Sequence, residues 1–331
     1  MDQSVISYLI KNYYGEDPQN PHPEVYSSLW LKLKEHLKIE TDQQGNIISL
    51  SAKGTGLDTF DRRHKKITQC FDYACIFSHL IHLPNRLSLL KSSFAAQALC
   101  QKMNRPMTFE VFQQVCSLEL LKRNLSERMR KKRLNILFIG DGYGILAALW
   151  KQSFPNSTLI LVDLGEVLLF QAHYCQRAHP NYRHVLVGHA TEPEQADFIY
   201  CPAEEMDQLY RFQYDVAVNI VSMHEMNFPT ISRYFDLLRA RFHEDNLFYC
   251  CNRERKHLIG GEETHFMDYP WKKSDKILLD EFCPWHQYYF SPYTAISGPR
   301  IGPFKIPGIH FYDYPSVRWG RIWHRLAVLA K

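Results

Sequence analysis

Over roughly the first 130 residues, apolar side chains recur three and four positions apart, in "SVISYLIKNYY", "SLWLKLKEHL", "ITQCFDYACIFSHLIHL" and "FEVFQQVCSLELLKRNL". That period marks one face of an α-helix, so the spacing predicts a mostly helical N-terminal region. The segment "TDQQGNIISLSAKGTG" breaks the pattern with Gly45, Gly54 and Gly56 and predicts a turn or small excursion between helices. From Leu134 the texture changes to short apolar runs alternating with helical patterns, the signature of a parallel sheet with crossover helices. Strands are predicted at 134–139, 158–163, 197–201, 214–220 and 246–252, with helices at about 143–152, 165–178, 203–210 and 229–242. Beyond Cys251 the chain turns irregular and aromatic. It closes on "GIHFYDYP" and "RIWHRLAVLAK", separated by "SVRWG", which predicts a terminal antiparallel hairpin. There is no internal repeat and no low-complexity tract.

Composition adds bounds to this outline. A chain of 331 residues, 45% hydrophobic and 22% charged, is ordinary globular material with room for one large domain or two smaller ones. The formal charge is only +4, and the one strongly basic stretch, Lys122 to Arg133, reads as the solvated end of a helix entering the first strand. Nucleic acid is therefore not the expected partner. Nine cysteines lie scattered without a CxxC pair, two of them adjacent at Cys250 and Cys251 in an apolar run. This fits buried free thiols in a reducing compartment, and a cytoplasmic location is expected. No signal peptide and no run of about 18 apolar residues is found, so no membrane span is expected.

The stretch "ILFIGDGYG" ends a buried strand in Gly140, Gly142 and Gly144. Glycine there lets the backbone turn sharply and lets a ligand approach the main chain, while the helix that follows directs its N-terminus at the ligand. A dinucleotide fingerprint would read G-x-G-x-x-G, whereas Ile145 stands where its third glycine belongs. The G-x-G-x-G spacing favours S-adenosylmethionine over NAD. The next strand, "TLILVD", ends in Asp163, whose carboxylate is placed to accept from both hydroxyls of a ribose; its bland reading is a helix N-cap. The expected cofactor site is Gly140, Asp141, Gly142, Tyr143, Gly144, Asp163 and Leu164, with Asn219 from the fourth strand. Ala203 and Glu204, after the third strand, are expected at the adenine edge; Glu204 equally suits the first turn of a helix.

With "ILFIGDGYGILAALW", "LILVDL", "YDVAVNIVSMHEMNFPTISRYFDLL", "FYCCNRERK" and "DYPWK" in this order, the chain resembles the sugar O-methyltransferase family, a branch of the class I S-adenosylmethionine-dependent methyltransferases. The resemblance covers roughly residues 130 to 331. It implies an α/β fold with a Rossmann-like seven-stranded sheet and an antiparallel C-terminal strand, preceded here by the N-terminal helical region. With the helical periodicity before it, the expected division is a helical region, 1–130, that shapes or covers the acceptor pocket, and a methyltransferase domain, 131–331. One departure stands out: class I enzymes commonly carry an acid two positions before the first glycine, and this chain has Phe138 there and Asp141 inside the loop.

The end of the fourth strand brings Asn219, Ser222, His224 and Glu225 to the carboxyl edge of the sheet. A sugar hydroxyl is barely acidic, so methyl transfer to it benefits from a positioned base. His224 is the expected base, with Glu225 orienting the imidazole or acting as the base itself. Arg253, His265, Tyr269 and Trp271, together with Ser222, are the expected acceptor-binding set, since aromatic rings with polar tips suit a sugar; they equally suit a core edge. Met223 and Met226 are expected in the pocket wall. No H-E-x-x-H and no Cys/His cluster with ligand spacing occurs, so no metal site is expected, while a magnesium-assisted transfer through Glu225 stays open. The expected partner is a small-molecule or glycan acceptor, with homo-oligomerisation open. Two other readings stand beside the sugar enzyme: methylation of a non-sugar metabolite, and a cofactor-binding scaffold without turnover, suggested by Phe138.

Overall fold

Short polar caps start several of the N-terminal helices. The hydroxyls of Ser4, Ser27, Thr108 and Ser126 each accept a backbone N–H three residues on. In the computed structural model, which describes residues 4–14, 25–44, 46–53, 66–188, 195–290, 311–313 and 321–331, the N-terminal region holds α1 (Val5–Tyr13), α2 (Ser28–Leu33), α3 (Lys66–His82), α4 (Arg86–Lys102), α5 (Phe109–Asn124) and α6 (Glu127–Arg130). The excursion expected between helices is a β-hairpin, β1 (Leu37–Thr41) against β2 (Ile47–Ala52). Its turn is closed by the Asp42 carboxylate, which accepts from the Gln44 and Asn46 N–H groups. Strands this short leave too few alternations to read in sequence.

The second part alternates as expected: β3 (Leu134–Ile139), α7 (Ile145–Ser153), β4 (Ser157–Asp163), α8 (Gly165–Ala178), β5 (His184–Leu186), β6 (Phe198–Pro202), β7 (Tyr214–Ile220), α9 (Phe228–Arg241) and β8 (Phe242–Arg253). The predicted bounds of β3 and β7 are those observed. The helix expected at 203–210 is a kinked 3-10 segment, Ala203–Arg211. The outer elements are β9 (Arg255–His257), β10 (Glu263–His265), β11 (Lys276–Phe282), α10 (Pro284–Gln287), β12 (Tyr288–Phe290), β13 (Phe311–Asp313) and β14 (Ile322–Val328).

The main sheet has eight strands in the order β11-β14-β8-β7-β3-β4-β6-β5. Every pair from β8 to β5 is parallel, and β14 runs antiparallel between β8 and β11. The fold is thus the expected Rossmann-like α/β sheet with an antiparallel last strand, enlarged by the edge strand β5. The predicted terminal hairpin is not formed. β14 is inserted between β8 and β11 instead, while Phe311–Asp313 pairs with Tyr288–Phe290. The flanking residues 308–310 and 314–315 lie outside the described residues. β14 is buried along nearly its whole length, and two sheet neighbours cover it better than one hairpin partner would.

From β3 the chain winds one way to β4 and β6, and the other way to β7 and β8. That reversal opens a crevice beyond the carboxyl ends of β3, β4 and β7. The hydrophobic core is continuous, from Val5 and Leu9 through α5 to Leu329. Helix α5 carries buried side chains all round, among them Phe109, Phe112, Val115, Leu118 and Leu121, so it is an interior element rather than a surface one.

A chain beginning at Leu134 should therefore not fold on its own. Removing α5 uncovers α7, which packs against it, at roughly 25 cal/mol for each Å² of apolar surface returned to water. The expected result is aggregation or a non-cooperative melt by near-UV circular dichroism; a sharp, reversible transition in the shortened chain would contradict the shared core.

Candidate functional site

All three glycines of the loop have left-handed backbone, with φ of 72° at Gly140, 56° at Gly142 and 74° at Gly144. A side chain at Gly140 would also overlap the Ser222 hydroxyl, and at Gly144 a Cβ would stand 2.7 Å from the Cys175 sulfur. Both the turn and the close packing require glycine. Asp141 accepts from the Leu146 and Ala147 N–H groups at 3.3 and 2.8 Å, so it caps α7 and takes up donors the sequence reading assigned to a ligand. Burial pushes its carboxyl up to about 7, against those two N–H bonds. Phe138, in the place where an acid was expected, is buried and meets Trp150 edge-on.

Asp163 is not the N-cap residue of α8; Leu164 is. One Asp163 oxygen accepts from the Leu164 N–H at 2.9 Å and the other from the Gln171 amide at 2.6 Å. Burial raises its carboxyl to about 8, with Asp141 and Glu204 adding to the effect and the Leu164 and Gly142 N–H groups opposing it. Asp163 and Leu164 both line the cavity described below, as does Ala203. Glu204 does not. Its Oε1 lies 2.7 Å from the Tyr26 hydroxyl, which is also 2.6 Å from Glu166 Oε2. Burial raises the Glu204 carboxyl, opposed by the hydrogen bond from Tyr26.

Asn219 is fully buried and works inside the protein, away from the cavity wall. Its amide nitrogen donates to Ile139 O and to Ser222 Oγ, both at 2.7 Å, and its oxygen accepts from the Met223 N–H and from Asn252 Nδ2. It joins the ends of β3, β7 and β8. The loop it holds begins at Val221, whose φ of 55° is unusual for a β-branched residue and marks local strain.

His224 is 1% exposed and absent from the cavity wall. Its Nδ1 is 3.1 Å from Asn252 Oδ1, and its Nε2 is 3.8 Å from Glu225 Oε1. Burial, with Arg253 and Lys256 beside it, holds the imidazole far below its ordinary range. The expectation that His224 faces the acceptor is therefore corrected, because the ring is spent behind the wall. Glu225 is on the wall. Burial raises its carboxyl, opposed by Lys256 at 3.6 Å, by Arg253 and by a hydrogen bond from Trp30.

The glycine loop, Asp163 and Glu225 border a cavity of about 570 Å³, within the usual size of small-molecule sites. Its walls include Gly140, Asp141, Gly142, Tyr143, Asp163, Ser222, Glu225, Met226 and Arg253, and also Val25, Trp30, Glu110, Gln113 and Gln114 from the N-terminal region. The N-terminal region was expected to shape or cover the acceptor pocket, but the individual residues of its wall were not named. Their trace in the sequence is the run of polar residues on α5, a helix otherwise apolar on every side. The buried Gln114 Oε1 has no hydrogen-bond partner among the described residues.

Three expected acceptor residues are elsewhere. His265, on β10, pairs with Glu263 at 2.9 Å. Tyr269 and Trp271 pack with Phe235, Phe248 and Phe266, and the Arg325 guanidinium lies 4.6 Å from the Trp271 ring. That aromatic cluster is core. Conversely, His286 lines the cavity, with Cys251 and Cys283 behind it, a grouping the sequence reading overlooked.

No protein-family model and no curated protein matches the sequence. Solved structures with a similar course of chain include coclaurine N-methyltransferase bound to N-methylheliamine and SAH, 11% identical with a TM-score of 0.35 over 51% of this chain and 50% of that one. TrmN from Thermus thermophilus is 10% identical with a TM-score of 0.39, over 68% of this chain and 54% of that one. Precorrin-6y C5,15-methyltransferase from Geobacter metallireducens GS-15 is 10% identical with a TM-score of 0.36, over 64% and 86%. The chain spans about half the length of the first two. At these values the likeness assigns neither family nor activity.

Gly140→Ala should destabilise the protein by more than about 1 kcal/mol, because the new Cβ meets both a left-handed backbone and the Ser222 hydroxyl. Adding Ser222→Gly should restore part of the loss by removing the overlap while leaving the backbone strain. Denaturant unfolding of the two single variants and the double variant measures this; strict additivity would show that Ser222 and Gly140 are not in contact.

Proposed function

We propose that the protein is an S-adenosylmethionine-dependent O-methyltransferase acting on a hydroxyl of a small polar acceptor, with a sugar or glycosylated molecule as the class the family resemblance implies. One observation carries the reading: the glycine loop, the strand-end carboxylate Asp163 and the half-buried carboxylate Glu225 line a single cavity. The residues present fit the cofactor. Asp163 is held in place by Leu164 and Gln171 yet still lines the cavity, and burial raises its carboxyl to about 8, where further donors would favour the ionised form. Two ribose hydroxyls are such donors. When bound, S-adenosylmethionine supplies an electrophilic methyl group; the chain's task is to hold the acceptor oxygen in line and remove its proton.

Glu225 is the group we assign to that proton. It lines the cavity, burial raises its basicity, and Trp30 and Lys256 hold its position. His224 then acts through Glu225 as a positioning residue. Glu110, Gln114 and Arg253 on the same wall offer hydrogen bonds to a hydroxylated acceptor, which gives the N-terminal region, 1–130, the role of acceptor wall. The free cysteines agree with a reducing, cytoplasmic setting. No helix among the described residues is long and apolar enough to cross a membrane.

A screen of nucleotide sugars, glycans and hydroxylated metabolites for S-adenosylhomocysteine release tests the activity. Turnover on a hydroxylated acceptor supports the reading. Tight cofactor binding with silence across every class would favour the scaffold.

Two finer outcomes follow from the carboxylates. Without ligand, the raised pKa of Asp163 means the folded state holds a proton that the unfolded chain has released, so stability should fall as pH rises from the ordinary carboxylate range to about 8. Ribose donors favour the ionised form, so cofactor affinity should rise across the same window, with proton release visible in calorimetry as a dependence on buffer ionisation heat. Asp163→Asn should abolish that dependence, and Asp163→Ala should cost about 1.5–3 kcal/mol of binding. Affinity flat across the window would remove Asp163 from the site.

Glu225→Gln should leave cofactor affinity nearly intact and lower turnover by about two to four orders of magnitude. His224→Gln should lower it less and displace the pH–rate profile, since it disturbs Glu225 indirectly. Single-turnover rates across the pH range separate the two; a larger loss at His224 would return the base to the imidazole.

A further inference from the structure

Behind the cavity wall, Cys251, Cys283 and His286 bring three ligand atoms within 4.8 Å of one another. The imidazole Nδ1 of His286 lies 3.1 Å from the Cys283 sulfur and 3.8 Å from the Cys251 sulfur. A tetrahedral zinc ion with Zn–S of about 2.3 Å and Zn–N of about 2.0–2.1 Å holds its ligand atoms about 3.6–3.8 Å apart. The observed spacing brackets that value. We propose that Cys251, Cys283 and His286 form a site for a divalent soft-to-borderline metal ion, zinc in the first instance, with water in the fourth position.

The surroundings fix the three residues from several directions. Cys251 sits within β8, opposite His324 of β14 and Ile220 of β7, and is fully buried. Cys283 and His286 occupy one turn at the start of α10. The Cys283 N–H donates to Ile322 O at 2.9 Å, and the His286 N–H donates to Cys283 O at 3.2 Å. Helix α5 clamps the same turn, since Gln113 donates to Trp285 O at 2.7 Å and the Trp285 indole donates to Ser117 Oγ at 3.2 Å. Ligands held by strands and a clamped turn need little rearrangement to bind.

Charge points the same way. Two thiolates neutralise a dication, so the filled site carries no net charge into a buried setting, whereas thiolates alone there would be costly. Filling it releases the thiol protons to solvent, one for each sulfur that is protonated in the metal-free protein. Cys283 and His286 stand three positions apart in one turn, a pair passed over in the sequence because the third ligand is supplied from the middle of the sheet. Three protein ligands with one open position is the pattern of reactive zinc rather than of closed structural zinc. Only His286 of the three lines the cavity. The assignment rests on this geometry and is independent of the transferase reading.

The test uses the full chain, purified under reducing conditions, stripped with chelator and titrated with cobalt(II) alone. The expected result is a thiolate-to-cobalt charge-transfer band with tetrahedral d–d absorption, saturating at one equivalent and displaced by zinc. Cys251→Ser and Cys283→Ser should each reduce the charge-transfer intensity. His286→Gln, which keeps both sulfurs, should alter the d–d bands and weaken affinity by more than the 10- to 100-fold typical of losing an outer-shell partner. Cys70→Ser, at the exposed cysteine, should match the wild type. If the cysteine variants do not fold, the wild-type spectrum with His286→Gln decides. The proposal is overturned by a wild-type chain that shows no charge-transfer band at stoichiometric cobalt, whether denatured thiol counting finds all nine cysteines free or mass analysis of the blocked chain finds a Cys251–Cys283 disulfide.

Discussion

The buried amide of Asn219 is the interaction on which the site depends. It reaches Ile139 O at the end of β3, Ser222 and Met223 in the loop after β7, and Asn252 at the end of β8. Three adjacent strands of a parallel sheet end together at this edge, and their terminal polar groups have no water to turn to. Leaving one such buried group unpaired costs about 1–3 kcal/mol, so the network is held as a unit. Its geometry then dictates the rest. Ser222 is drawn against Gly140, which excludes any side chain there, and β3 has to leave the sheet in the left-handed turn that opens the crevice.

On the other side of the crevice the N-terminal region is joined by polar contacts as well as by the shared core. Trp30 donates to Glu225, and the Tyr26 hydroxyl sits between Glu166 and Glu204. Tyr14 donates to Glu166 O, and Tyr13 packs on Gly165 where a Cβ would not fit. Raised carboxyl pKa values at Asp141, Asp163, Glu204 and Glu225 have one leading cause, burial.

Much of the sheet was legible because its signals are local. Continuous apolar runs set β3 and β7, and three glycines two apart set the turn that follows β3. What escaped depends on distant pairing. Nothing near "RIWHRLAVLAK" says that its strand enters between β8 and β11, and nothing near His224 says that Asn252 will claim its imidazole. Residue type misled at Tyr269 and Trp271, since a ring with a polar tip suits a core edge as well as a sugar. It also misled at Glu204, where the partner that turns the carboxylate from the cavity lies far away in sequence at Tyr26.

The central claim is that the glycine loop and the N-terminal segment are opposite walls of one ligand site. Hydrogen–deuterium exchange with and without saturating S-adenosylhomocysteine tests it most directly. Slower exchange should appear together in the backbone from Phe138 to Ala147, around Asp163 to Val167, and across Val25 to Trp30 on the facing wall. Unchanged exchange in the glycine loop, or protection confined to a surface remote from this cavity, would contradict the account.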